Sequence, residues 1–241
     1  PYAVDDATGT IARQYGNELS EGTVYQVEST HSPAHDGFVI AIEDGAGNLK
    51  VIDYHVDAAL DIDRDYSSSG AGGAIDDVAI TTVTDGFSGV VTAELAAGTG
   101  QLVLRSFEVP AAGGVTLTDT FGTFVFGDAV SVDTVPWFFG LEEYIVTAVI
   151  QASDQTLRLD TWELDASGQI SWIDTISAGA ASTHDAAPVG ATGDLVSVVR
   201  DAGGDLRMIG WGVDAFGDIT RTATRVLGPV TDAAVVAAWG G

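Results

Sequence analysis

The chain has 241 residues, is 46% apolar, and carries a formal charge of −26 from 35 acidic against nine basic residues. A surface of that sign repels phosphate backbones and anionic headgroups, which argues against nucleic acid and membrane surfaces as partners. Without cysteine there is neither a disulfide framework nor a thiolate site, and no apolar run reaches the ~18 residues of a membrane span.

Alternating polar and apolar residues, rich in β-branched and aromatic types and punctuated by 30 glycines, predict strands throughout and no helix. The chain opens inside one strand, Tyr2-Ala-Val, and continues into another, Thr10-Ile-Ala-Arg-Gln-Tyr. A first unit follows, with strands beginning at Thr23, Phe38, Leu49 and Ile62. In the second unit they begin at Val78, Val90, Gln101 and Val115, in the third at Ala129, Tyr144, Leu157 and Ile170, and in the fourth at Ala186, Leu195, Leu206 and Ile219. Ala233 starts one further first strand before the chain ends at Gly241. The turns Asp165-Ala-Ser-Gly and Asp214-Ala-Phe-Gly carry the chemistry of tight hairpins that need a residue with positive φ.

One phrase marks every unit. Tyr2-Ala-Val-Asp, Tyr54-His-Val-Asp, Phe107-Glu-Val-Pro, Trp162-Glu-Leu-Asp and Trp211-Gly-Val-Asp recur at intervals of 52, 53, 55 and 49 residues. A period of this size signals units that bury their apolar faces only against each other. Four short strands, tight turns and a longer return to the next unit describe a propeller blade. The expected fold is a single all-β domain, a five-bladed β-propeller of four-stranded antiparallel blades, with units near 23–70, 77–122, 128–178 and 185–226. The fifth joins 232–241 to 1–16 and lacks a second strand. The start at Pro1 reads as a processed or partial chain, and unpaired edges invite a strand from a partner or a second subunit.

This layout resembles the β-propeller repeat families and, in blade count, the five-bladed lectin propellers of the tachylectin-2 kind. The resemblance lies in architecture: no sugar-binding motif of that lectin is matched, and neither the Gly-His…Trp-Asp pairing of WD40 blades nor an Asp-box is present. It implies a non-catalytic, lectin-like module for a glycan or another extracellular ligand. Ala, Gly, Val, Asp and Arg outnumber Lys, Asn and Ile, which fits a prokaryotic extracellular or cell-surface protein, and the carboxylate-rich surface suits a saline setting. A structural subunit assembling through the incomplete blade is the alternative.

Candidate residues follow from the register. Lys50, Arg158 and Arg207 share one position of the third strand, and Arg13, Arg64 and Arg221 share one position of the fourth. With the aromatics Tyr54, Trp162 and Trp211 they form a repeated pocket for a sugar, the rings for stacking and the cations for hydroxyls. On the structural reading the rings pack between blades and the cations neutralise Asp. Asp77, Asp128, Asp185 and Asp232 recur near the first strands; they either ring a channel mouth as hard ligands for Ca²⁺ or bond backbone N–H groups of their own turns. His31, His35 and His184 precede Asp residues near connections and suggest, more weakly, a His/Asp metal site. Trp137, Phe138 and Phe139 sit in an apparent insertion, 136–143, either an exposed contact loop or a buried plug. Five-bladed furanosidases need paired carboxylates, for which Glu142 and Glu143 are the nearest candidates, but short uniform connections argue against an enzyme.

Overall fold

The computed structural model describes residues 2–5, 10–13, 22–58, 62–84, 86–111, 113–122, 129–139, 142–189, 194–232 and 234–235, with the side chains of 2–5, 10–13, 65–72, 129–139 and 142–143 outside the description. Its strands are β1 (Tyr2–Asp5), β2 (Thr10–Arg13), β3 (Val24–His31), β4 (Gly37–Asp44), β5 (Asn48–Val56), β6 (Ile62–Val83), β7 (Gly89–Ala96), β8 (Gln101–Glu108) and β9 (Thr116–Gly122). They continue as β10 (Ala129–Phe139), β11 (Glu142–Gln151), β12 (Thr156–Leu164), β13 (Ile170–Val189), β14 (Asp194–Asp201), β15 (Asp205–Val213) and β16 (Ile219–Pro229). β3 to β9 and β10 to β16 each hydrogen-bond in sequence order, and β1 pairs with β2. The all-β propeller architecture is as expected.

The connection between blades departs from expectation. No separate return links the first unit to the second or the third to the fourth. Instead β6 runs 22 residues and β13 runs 20, so one strand serves two blades. Ile62 to Ser69 pair with β5, and Ile75 to Val83 pair with β7. β13 likewise pairs with β12 up to Ala180 and with β14 from Ala181. Small residues occupy both crossings, Gly70-Ala-Gly-Gly-Ala and Ala178-Gly-Ala-Ala, where bulky side chains would resist the turn from one sheet into the next. Of the segment 136–143, Trp137, Phe138 and Phe139 belong to strand β10 rather than to a loop, and pair with Tyr144, Glu143 and Glu142.

Repeated β-bulges give the four blades a common twist. Between third and fourth strands the register shifts at Asp53/Tyr54, Ser106/Phe107, Thr161/Trp162 and Gly210/Trp211, immediately before each phrase aromatic. Between first and second strands it shifts at Val24/Gln26, Ile75/Asp77, Ala129/Ser131 and Ala181/Thr183. β1 and β2 pair without a shift, with Tyr2 opposite Arg13.

The core lies between blades. One cluster joins Val39, Ala41, Leu49 and Val51 of the first to Val78, Val90 and Phe107 of the second. A second joins Val91, Leu102 and Leu104 to Ile145, Val149 and Trp162, and a third joins Val146 and Leu159 to Leu195, Ile209 and Trp211. Each ring therefore plugs the seam with the preceding blade, a position worth about 1.5–3 kcal/mol for an aromatic side chain withdrawn from water. Trp162 Nε1 donates to Thr147 Oγ1 at 3.0 Å, and Trp211 Nε1 donates to Ser197 Oγ at 2.9 Å. Phe107 has no N–H to offer, and there the matching hydroxyl, Thr92 Oγ1, turns to Glu94 Oε1 at 2.7 Å. Glu94 in turn pairs with the guanidinium of Arg105, both buried.

Hairpin tips latch the seams. Ser106 Oγ donates to Gly168 O at 2.6 Å and Thr161 Oγ1 to Gly217 O at 2.7 Å. Asp119 Oδ2 accepts Ile170 N at 2.9 Å, and Asp174 Oδ2 accepts Ile219 N at 3.1 Å. The tips are shaped as the sequence predicts. Asp165 Oδ1 accepts the N–H groups of Ser167 and Gln169, Asp214 Oδ1 those of Phe216 and Asp218, with Gly168 and Gly217 at φ 80° and 82°.

Candidate ligand-binding site

The repeated positions fall where the register put them, but they do not build repeated pockets. Lys50, Arg158 and Arg207 pair with the equivalent residues Ile42, Val149 and Val199. Arg64 and Arg221 face Tyr54 and Trp211 across the third and fourth strands. The rings themselves are interior: Trp162 and Trp211 have no exposed surface, and Tyr54 is buried and stacked on Phe38 with centroids 5.1 Å apart. Trp162 and Trp211 are closed between two blades and Tyr54 is packed among side chains of its own blade, so these three aromatics are packing residues rather than platforms.

Arg158, Arg207 and Arg221 have protein partners. Arg207 Nη2 bonds Asp201 Oδ2 at 2.7 Å. Arg221 lies over the Trp211 ring, 5.3 Å from its centroid, and Nη2 donates to Ser177 O at 3.1 Å, so it ties the fourth blade to the third. Lys50 adds to the forces that hold the Asp44 carboxyl below the usual range, after hydrogen bonds from the Asn48 and Ala46 backbone.

At Arg158 the geometry differs. Its Nε donates to Asp160 Oδ1 at 3.0 Å and to Thr175 Oγ1 at 2.8 Å. Asp160 is fully buried, and burial pushes its carboxyl up, opposed by hydrogen bonds and charge from Arg158 and by hydrogen bonds from Thr175 and Trp172. Trp172 sits opposite Trp162 in the register but is 44% exposed. An indole whose N–H is tied to an anchored carboxylate has a fixed orientation and a ring surface open to solvent. That combination suits stacking on the apolar face of a ring-shaped ligand. Its equivalents are Arg64, Leu117 and Arg221, so among the described blades this arrangement occurs once. The sequence reading passed over Trp172 and Asp160 because it followed the repeated phrase, and these residues are where the third blade departs from its siblings.

Of the acidic residues near the first strands, Asp77 and Asp185 accept backbone N–H groups, the second of the two alternatives. Asp77 pairs with Leu95 and Asp185 with Val198, positions two residues apart in the blade, so the two are not equivalent. Asp77 Oδ1 accepts Val78 N at 3.0 Å; Asp185 accepts Ala186 N at 2.8 Å and Val235 N at 2.7 Å. Asp232 is exposed, and Asp128 lies outside the described residues. Among the described residues no three His, Asp or Glu converge as a cation site. His184 Nε2 lies 3.0 Å from Ala148 O, and burial lowers its imidazole's proton affinity against the pull of that bond and of Asp185 and Asp77. His31 is an exposed residue at the end of β3. His35 Nε2 lies 2.8 Å from Asp53 Oδ2, an ion-pair geometry that brings no third ligand. The side chains of Trp137, Phe138, Phe139, Glu142 and Glu143 lie outside the description.

No protein-family model and no curated protein matches the sequence. Among solved structures, the chain is similar to a mutant of the Aleuria aurantia lectin in complex with alpha-methyl-L-fucoside, at TM-score 0.55 and 11% identity over 90% of this chain and 68% of that one. It is similar to a mutant of AofleA from Arthrobotrys oligospora at TM-score 0.57 and 10% identity, over 93% of this chain and 63% of the other. The Dos1 propeller gives TM-score 0.53 and 8% identity, over 94% and 50%. At identities this low, the likeness shows the β-propeller fold alone.

Proposed function

We propose that the chain is a non-catalytic, lectin-like binding module that takes a neutral sugar on Trp172, beside Arg158, Asp160 and Thr175. The observation that carries this is the exposed indole held by a buried carboxylate. Because Asp160 offsets the charge of Arg158, the site favours a neutral sugar over an anionic one. Lectin propellers solved with fucosides share the fold, which supports a glycan as ligand. The reading includes five blades, counted from the five phrases, with the last blade assembled from both ends of the chain. It also includes an extracellular or cell-surface location, where glycans are displayed. A glycan array with wild type and Trp172→Ala tests it. Binding that disappears with the indole supports the proposal; no binding across a broad array, or binding indifferent to Trp172, refutes it. Hydrolysis of arabinan or fructan would contradict the non-catalytic reading.

A second reading has its own observation. Val27 of β3 is 56% exposed and Tyr25 67%, whereas Val78, the counterpart of Val27, is 1% exposed. A strand-donating partner or second copy pairing beside the first blade would cover them. Size-exclusion chromatography with light scattering discriminates: a monomer at all concentrations removes the second-copy form of this reading.

A further inference from the structure

A pocket of about 590 Å³ opens at the end of the first blade, where the β3–β4 loop meets the end of β5. It is within the usual size range of small-molecule sites. Asp36, Asp57, His55 and Phe38 supply its polar and aromatic lining, with Val56 and Ala58 as apolar wall. Among the described residues, its lining includes no arginine or lysine. The loop is held in place by Val56 N donating to Asp36 O at 2.9 Å. It also depends on Gly37, where a Cβ would collide with the carbonyl of Tyr54.

Behind the pocket lies a buried carboxyl group, that of Asp53. His55 meets His35 edge-on, ring centroids 5.3 Å apart, and His35 Nε2 lies 2.8 Å from Asp53 Oδ2. Asp53 is fully buried, and its Oδ1 has no hydrogen-bond partner. The corresponding side chains of the next two blades, Ser106 and Thr161, are hydroxyls that latch a hairpin carbonyl, a bond an ionised carboxylate cannot make. The first blade thus carries a carboxyl group, held by His35, where its siblings carry a hydroxyl donor. The pocket in front of it is itself lined by two aspartates, Asp36 and Asp57.

We propose that this pocket binds a protonated amine carried on a small, partly apolar body, of the amino-sugar or polyamine class. An ammonium group has three N–H donors that diverge, so it meets Asp36, Asp57 and His55 without their converging as metal ligands must. Phe38 and the apolar wall receive the carbon skeleton, with the ring favouring the cation. The site is distinct from Trp172 and does not depend on the glycan reading.

The test is calorimetric titration of the full chain carrying Trp172→Ala, which removes the neutral-sugar site proposed above, at 0.15 M salt with three probes: the β-1,4-linked dimer of glucosamine, its N-acetylated counterpart, and spermidine. The amine-bearing dimer or spermidine should bind, and the neutral N-acetylated dimer should not; which of the two amines binds tighter assigns the source. Asp36→Asn combined with Asp57→Asn should weaken binding about tenfold or more. In the same Trp172→Ala background, the double variant Glu108→Gln, Glu163→Gln removes the same charge from exposed positions on other blades and should leave affinity unchanged. Equal binding of the N-acetylated dimer, equal loss in the Glu108/Glu163 variant, or no binding by either amine overturns the proposal. Melting temperatures taken alongside verify that the Asn variants are folded.

Discussion

The pairing of Trp162 with Thr147 is the place where a buried polar contact can be weighed most directly. Both residues are fully buried, and the indole N–H has the threonine hydroxyl as its partner at 3.0 Å. Thr147→Val leaves the N–H without an acceptor in a seam closed to water, at a cost of about 1–3 kcal/mol. Trp162→Phe orphans the hydroxyl instead and opens a small void, for about 1–3 kcal/mol. The double variant removes donor and acceptor together, so the desolvation penalty is not incurred twice. We expect it to be more stable than the sum of the singles implies by about 1–2 kcal/mol. The second blade already shows an alternative solution, with Phe107 at the ring position and Thr92 redirected to Glu94. Urea unfolding of the four proteins measures the cycle. Additivity to within about 0.5 kcal/mol would refute the reasoning, because the two groups would then be satisfied elsewhere. Trp162→Ala, a simple core truncation, should cost about 3–5 kcal/mol.

Trp172→Ala should leave unfolding nearly unchanged while abolishing glycan binding, since its ring is half in water; loss of stability without loss of binding would make it another packing residue. Gly217→Ala should destabilise by about 1–3 kcal/mol, as read by thermal melting, because φ is 82° and the new Cβ would lie 2.7 Å from Ile173 Cδ1. Asp174→Ala removes the acceptor for Ile219 N and should cost about 1–2 kcal/mol. His184, held below its ordinary proton affinity by burial, contributes stability that is present above about pH 6.5 and lost as pH falls, because the unfolded chain takes up a proton the folded one refuses. His184→Val, after its counterparts Val78 and Val132, should flatten the stability profile on the acid side of that value; an unchanged profile would acquit the histidine.

Most of the fold was legible because the repeat reports burial indirectly: an aromatic at the same place in every unit has the same neighbours. What the repeat could not report is which side of the protein surface that place lies on, and Trp162 and Trp211 proved interior. Trp172 was legible only by difference, as a ring at a position its siblings give to Arg64, Leu117 and Arg221. A longer return is expected between the first and second units, yet the backbone through the glycine-rich stretch 70–74 continues β6, because small residues also permit a strand to swing between sheets. Asp77 and Asp185 were aligned as equivalents although the blade register sets them two residues apart. Strand alternation cannot detect such a slip: a displacement of two returns the side chain to the same face.

β6 and β13 also bear on how the protein comes apart. A strand that is the last of one sheet and the first of the next cannot release either without loosening its grip on the other. The natural unit of opening is then a couple of adjacent blades rather than a single blade. Amides of β5 and β7, and likewise of β12 and β14, should exchange with solvent as matched groups although each pair belongs to different sheets. The same coupling means that a cut within 70–74 would injure two blades at once, while a cut at the exposed Gly98 tip would leave all three ladders of its blade paired.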